Sequence, residues 1–458
     1  MSVTTKGTIP VPDLDGVLLT NEAARIAAAD DFGHTVHHLP TAVLKPGSVE
    51  DIARMVRFAR ENDLKIAARG QGHSTSGQPQ VEAGIVVDMT TLATVHSVGT
   101  GYADVDAGVL WSRLLDATLP FHQTPPVLTD YLDVTVGGTL AVGGIGGMSS
   151  RYGAQIDHVL ALTVVTGEGD VVECSMTRNR HLFEATLGGL GQYGIVVQAR
   201  VRLVPAPAQV RVYTLLYSDL ATFTDDQVRV MQEKRFDYVE GQAVPNPAGG
   251  WMYLLEAAFY YTPPAQPDDT GLLAGLRNNP GSVTREEKAY RDFAHRLDPL
   301  VTLLKTAGAW DVPHPWFDVF VPRSQVIGYI GDALSNLTPA DTGNGLVLLY
   351  PVPTVLFDRP RLQLPAEPVA FLFDILRFAI PGLSVGVDAM LAANRILYDQ
   401  VVALGGKRYP IGAIPNYTQQ DWKRHYHSEW EKVVSAKRHY DPGDVLTPGQ
   451  GIFSQQQE

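Results

Sequence analysis

The stretch ARGQGHSTSGQ, Ala68 to Gln78, places Gly70, Gly72 and Gly77 around a single histidine, His73, with no apolar side chain between Ala68 and Gln78. Glycine at such density lets a backbone turn sharply and come close to another group, so the loop reads as a presenting element rather than a packing one. The residues on either side define the unit that carries it. Upstream, SVEDIARMVRFARENDL sets Ile52, Met55, Val56 and Ala59 on one helical face, and Ser48 stands three residues before Asp51 as a helix start. KIAA then reads as a short strand entering the loop. Downstream, GIVVDM (Gly84 to Met89) is a β-branched run, and LWSRLLDATL (Leu110 to Leu119) has helical periodicity. Helices and strands in this order predict an α+β layered unit.

Two further glycine-rich segments follow, TVGGTLAVGGIGGMSSRYG (Thr135 to Gly153) and LGGLGQYGIVVQARVRLVPAP (Leu187 to Pro207). Between them, HVLALTVVTGEGDVVECS predicts a β-hairpin turning at Glu168-Gly169. The Pro-Ala-Pro sequence ending at Pro207 marks a domain boundary. Beyond it the pattern changes to longer apolar segments, broken by a loop-like TPPAQPDDTG (Thr262 to Gly271) and by proline turns, which reads as a second domain.

The 458 residues are enough for two or three compact units, and 45% apolar with 19% charged residues is a globular composition. A formal charge of −13 repels a phosphate backbone, so nucleic acid is not expected as a partner. The N-terminus lacks a basic segment followed by an apolar one, and no window is apolar enough to span a bilayer, so the expected location is cytoplasmic, away from membranes. The one cysteine, Cys174, excludes internal disulfides and CxxC zinc clusters, and no metal site is expected. His425 and His427, two apart on a predicted helix, point in different directions and are expected at the surface.

Backbone amides converging in glycine loops make anion-binding concavities suited to a pyrophosphate, which argues for a nucleotide cofactor. Neither GQGHST nor GIGGMS completes G-x-G-x-x-G, and no phosphate-binding G-x-x-x-x-G-K-[ST] occurs, so a Rossmann or P-loop site is disfavoured. One glycine segment alone also fits a set of tight turns; three in one unit favour cofactor binding.

RGQGHSTSGQ, DYLDVTVGGTLAVGGIGG, LGGLGQYGIV, WDVPHPWFDVFVPRS and YDPGDVLTPGQGIF, in this order from about residue 40 to 453, resemble the cytokinin dehydrogenases. These sit within the vanillyl-alcohol oxidase and p-cresol methylhydroxylase (PCMH) type of FAD flavoproteins. The resemblance implies an α+β, two-domain PCMH-type fold. Its FAD domain would be discontinuous, 1–207 with a C-terminal return at 413–458. A substrate (cap) domain, 208–412, would lay an antiparallel sheet over the flavin. It implies FAD attached covalently through His73. Backbone amides of Gly70, Gly72 and Ser74 would meet the pyrophosphate, with Gln71 in the same loop. Gln78 and the segment holding Thr135, Gly138, Gly143 and Gly146 would surround the flavin, Ile195 would lie near the adenine side, and Gln450 would return from the C-terminus. TDYLDVTVGG holds no cysteine, so a second covalent bond, as in the berberine-bridge-like branch, is not expected, and Cys174 reads as a structural thiol.

Asp130 matches the family's active-site aspartate, and Glu256, alone in the apolar YLLEAAF, matches a glutamate that hydrogen-bonds it. Two close carboxyls in a cleft raise one pKa, so the pair can hold or accept a proton. Trp310 and Tyr350 correspond to pocket aromatics. Within Gly405 to Trp422 the length and aromatic placement depart from the family, so no residue there is assigned to the family's flavin-contacting tyrosine. The implied reaction oxidises the C–N bond to the N6 substituent of isoprenoid adenines by hydride transfer to flavin N5. Hydrolysis of the imine to adenine and an aldehyde follows, with a quinone or oxygen as electron acceptor. The alternatives are a same-fold oxidase or dehydrogenase for another amine or alcohol, for example in secondary metabolism, and a flavoprotein that binds without turnover.

Overall fold

The structure, a computed structural model, describes residues 2–4 and 8–453. A four-stranded sheet orders Val17–Leu19, Ala42–Lys45, Ile85–Asp88 and Ile66–Arg69, with the last three parallel. The helix Val49–Glu61 makes the crossover. It starts where Ser48 Oγ accepts the Asp51 N–H at 3.2 Å, and it buries Ile52, Met55, Val56 and Ala59. Asp51 is itself buried and accepts from the backbone N–H groups of Asp15, Gly16 and Gly47 at 2.8, 2.7 and 2.9 Å, which anchors the preceding segment. Strand Ile66–Arg69 releases the glycine loop at its carboxyl end, the end of a parallel sheet at which α/β folds hold ligands.

A five-stranded antiparallel sheet lies beside it, ordered Val171–Ser175, Val159–Val165, Ile195–Arg202, Tyr102–Asp106 and Val95–Gly99. Its hairpin turns through Gly169 at φ +81°, a left-handed position that suits glycine, and Cys174 is buried in its outer strand.

An eight-stranded antiparallel sheet orders Thr284–Ala289, Gln209–Tyr217, Trp251–Tyr261, Tyr238–Pro245, Val347–Pro353, Val369–Ile375, Phe317–Pro322 and Lys407–Arg408. Strand side chains alternate between faces. Val239, Leu255, Leu349, Phe371 and Val319 form one core with helices Leu220–Gln232, Val326–Ser335 and Val387–Ala403. Tyr238, Tyr350, Leu372 and Phe320, on the other face, belong to the core of the first two sheets. The large sheet thus roofs the glycine-bearing unit.

The polypeptide then returns to that unit. Ile66 N–H donates to Val445 O at 2.8 Å and Thr447 N–H to Ile66 O at 2.6 Å, adding a short parallel edge to the first sheet. Lys437 and Asp441, both buried, pair at 2.7 Å; Lys437 also donates to the carbonyls of Gln192 and Leu446, and Asp441 accepts from the N–H groups of Val445 and Leu446. His427 is exposed, but His425 is buried, against the surface expectation. Helix Gln419–Tyr426 turns Trp422, His425 and Tyr426 inward at i, i+3 and i+4, so the helical period decides its fate. Among the described residues, no helix is long and apolar enough to cross a membrane.

Candidate active site

The loop after Arg69 is held through its carbonyls by the segment around Phe32. Gly72 O accepts from Phe32 N–H at 2.8 Å and Ser74 O from Gly33 N–H at 3.0 Å. Buried Asp31 accepts from Gly33 and Gly77 N–H at 3.0 and 2.7 Å, and burial raises its pKa to about 7. Among the described residues, no backbone N–H from Gly70 to Ser74 donates to a protein acceptor. Gly72 sits at φ +67°, where a Cβ would fall 2.3 Å from the Arg69 guanidinium. A Cβ at Gly70 would lie 2.1 Å from Thr135 Oγ1, so this loop abuts the second glycine segment. Thr135 Oγ1 accepts from Gly138 N–H at 3.2 Å and starts the helix Val136–Leu140.

The other residues named from sequence lie around this floor or apart from it. Gln71 is exposed; Gln78 Oε1 accepts from Ser76 N–H at 2.8 Å. Gly449 lies against the carbonyls of Gln80 and Gly77, which brings the Gln450 segment to the same loop, and Gln450 O accepts from Trp422 Nε1 at 3.0 Å. Gly146 is held by Ser149 Oγ at 3.2 Å. Gly143 neighbours Leu362 and Tyr409, whose hydroxyl accepts from Gly144 N–H at 3.2 Å. Tyr409, in the unassigned 405–422 segment, thus reaches this floor. Ile195 starts the central strand of the five-stranded sheet, opposite Val165.

His73 is walled by Phe32, Tyr131, Trp316 and Trp310, with ring centroids at 4.3, 4.8, 5.6 and 5.9 Å. Desolvation, followed by His314 and Lys305, pushes its pKa down to about 3, so the imidazole is neutral at physiological pH. Tyr131 joins this wall to the next group, because its neighbour in sequence is Asp130.

Asp130 and Glu256 do not hydrogen-bond each other directly; Arg296 stands between them. One of its terminal nitrogens donates to Asp130 Oδ1 at 2.5 Å, and its Nε lies 3.5 Å from Glu256 Oε1. Tyr238 donates its hydroxyl to Asp130 Oδ1 at 3.0 Å, hydrogen-bonds Glu240, and accepts from Arg296. Glu240 faces Glu256 directly across the paired strands. Desolvation raises the pKa of Glu240 well above the carboxylate range, with Asp130 adding to it, and desolvation also raises Glu256. The Tyr238 hydroxyl thus stands between the Asp130 and Glu240 carboxyls, within hydrogen-bond distance of both. Asp130 Oδ1 accepts from both Arg296 and Tyr238. Arg296, Tyr238 and Glu240 carry no mark in the sequence that singles them out for this cluster, although Glu240 is an acid inside the strand-like DYVEGQAV.

Buried side-chain polar atoms without a protein partner among the described residues include Gln155 Oε1, Trp316 Nε1, Arg408 Nε, both Asp318 oxygens and Asp374 Oδ1. The amides of Gly70 to Ser74, which have no protein acceptor among the described residues, fit a ligand carrying an anionic linker.

The architecture and the amide floor define a PCMH-type flavin-binding oxidoreductase. A family model for the FAD binding domain matches residues 40–175, and one described as cytokinin dehydrogenase 1, FAD and cytokinin binding, matches residues 242–453. The protein is 42% identical over 437 residues to an uncharacterized oxidoreductase, ORF5 in the fasciation locus of Rhodococcoides fascians, with 95% of its own length and 99% of that relative's in the match. Cytokinin dehydrogenase 9 of Oryza sativa subsp. japonica is 36% identical, over 93% of the present protein and 88% of its own length. Cytokinin dehydrogenase 1 of Arabidopsis thaliana is 35% identical, over 96% and 83%. The chain belongs to the cytokinin dehydrogenase family of FAD-dependent oxidoreductases.

Proposed function

We propose that this enzyme is a cytokinin dehydrogenase, cleaving the N6 substituent of isoprenoid adenines by oxidising its C–N bond. The observation that carries the reading is Asp130 held by Arg296 and Tyr238 beside the His73 wall, in a protein about 36% identical to others named for that activity. FAD, when bound, supplies a two-electron acceptor for hydride from the substrate carbon. Gly70 to Ser74 would hold its pyrophosphate, Thr135 to Gly147 and Tyr409 its ring system, and His73 would bind it covalently, the neutral imidazole being available as a nucleophile.

Asp130 accepts the hydrogen bond of the substrate N–H and takes that proton as the carbon loses hydride. Arg296 and the Tyr238 hydroxyl fix its orientation, which lowers the entropy cost of a productive approach. Glu256 shares the Arg296 guanidinium and so tunes the charge that Asp130 feels. Tyr350 and Trp310 wall the space and exclude water. The imine product then takes up water and separates into an amine and an aldehyde. The electron acceptor is a quinone or oxygen, and the site of action is the cytoplasm.

Anaerobic titration of the holoenzyme with isopentenyladenine tests this. Stoichiometric bleaching of the flavin absorbance with release of adenine is expected. Unbleached flavin at saturating isopentenyladenine, with bleaching by another amine or an alcohol, would overturn the substrate assignment.

A further inference from the structure

Residues Asp31 to Gly33 run beside the His73 loop and hold it at successive points. The N–H groups of Phe32 and Gly33 donate at 2.8 and 3.0 Å to Gly72 O and Ser74 O, the carbonyls of the residues on either side of His73. Thr35 Oγ1 donates to Thr75 O at 2.9 Å. A Cβ at Gly33 would come within 2.2 Å of Thr75 O, so this approach requires glycine. The Phe32 ring packs on the imidazoles of both His73 and His314, with centroids 4.3 and 3.9 Å away. His314 precedes the roof strand Phe317–Pro322, and its backbone N–H donates to Gly33 O at 2.9 Å.

Asp31 ties this tripeptide to the far end of the loop. It is 3% exposed and both its oxygens are engaged: Oδ1 accepts from Gly33 N–H at 3.0 Å and Oδ2 from Gly77 N–H at 2.7 Å. Two N–H donors, each on its own oxygen, call for a carboxylate, because asparagine offers one acceptor and would turn its NH2 towards the other N–H. Burial raises the pKa of Asp31 to about 7, and the Gly77 and Gly33 amides and the charge of Arg69 offset only part of that cost.

We infer that Asp31 is a positioning residue of the cofactor site: through Phe32, Gly33 and Gly77 it fixes the backbone on both sides of His73, and with it the imidazole and the amides of Gly70 to Ser74. For the part played by His73 the inference rests on the flavin attachment proposed above. A loop set in this way before FAD arrives lowers the ordering cost of binding it.

Asp31→Asn keeps the shape and removes one acceptor. Asp51→Asn is its comparison, since Asp51 is also buried and also accepts several backbone N–H groups, but on helix Val49–Glu61. Both are studied as holoenzymes at pH 8, where the wild-type Asp31 is mostly ionised. Hydrogen exchange read by mass spectrometry should be about tenfold faster over residues 70–80 in Asp31→Asn, the scale of one hydrogen bond to a charged group, and unchanged there in Asp51→Asn. The visible circular dichroism of the bound flavin should change in Asp31→Asn alone, and loss of flavin from that variant alone on purification carries the same meaning. Wild-type exchange or wild-type dichroism in Asp31→Asn, or equal changes in Asp51→Asn, would overturn the inference. If Asp31→Asn does not fold, Asp31→Ser takes its place with the same readouts; failure of both to fold would make Asp31 a structural residue and overturn the positioning role. Neither readout needs a bond between flavin and His73, so finding the flavin unattached would end the covalent assignment and leave this one standing.

Discussion

Arg296 is the residue on which the electrostatics of Asp130 turn. It is enclosed among Asp130, Glu256, Tyr238 and the ring of Phe293, and these acids lie in a poorly solvated space. Removing one partner of such a pair leaves charge buried without compensation, at a cost of about 3–5 kcal/mol. Arg296→Met should therefore lower the melting temperature clearly and slow flavin reduction, with Arg296→Lys recovering only part because it lacks the planar fork; equal melting curves would refute this. Asp130→Asn keeps the shape but loses the proton acceptor, so flavin reduction should slow by about 10²- to 10⁴-fold with the bound-flavin spectrum unchanged, as read by anaerobic stopped flow. His73→Ala should retain the fold and release its flavin on acid precipitation, since His73 walls the site and is no part of a sheet core. Flavin remaining with the precipitate would end the covalent assignment.

At the level of elements, one glycine lets the roof approach the floor at the Asp130 cluster. Gly147 lies under the Tyr238 ring, where a Cβ would come within 2.4 Å of it, and Val239 N–H donates to Gly147 O at 3.1 Å. Gly147→Ala must displace the tyrosine or the strand, a change on the scale of about 1–3 kcal/mol. Because Tyr238 also holds Asp130, the variant should lose turnover as well as stability; wild-type kinetics in a destabilised protein would contradict this coupling. The same strands explain an uneven legibility. Helix Val49–Glu61, the hairpin at Gly169 and the strand entering the glycine loop are readable because period and turn chemistry are local. Glu256 stands out as an acid in an apolar run, and Asp318 in PWFDVFVP and Asp374 in VAFLFDILRF carry the same signal. That these two face each other is not legible, since register is set by pairing between distant segments.

For the whole molecule, the C-terminal return is the feature that closes the flavin unit. Val445 to Thr447 cover the edge of Ile66–Arg69, and Lys437 and Asp441 tie the last helix to Gln192 and to that edge. A protein truncated after Tyr440 would expose the strand that launches the His73 loop and leave Lys437 buried without its partner. It is expected to purify without flavin and to melt at lower temperature; full flavin content in the shortened protein would show that the return is dispensable.

Sequence alone determined the local elements, the three glycine segments, the isolation of His73 among them and, through the order of five motifs, the family. Those features depend on neighbouring residues or on motif order, and both survive in one dimension. Only the tertiary structure decided that Arg296 separates Asp130 from Glu256, that Glu240 reaches Asp130 through Tyr238, that His425 is interior, and that Asp318 meets Asp374. Each of these joins residues that folding alone brings together, and the protonation of a buried acid is set by the groups that surround it.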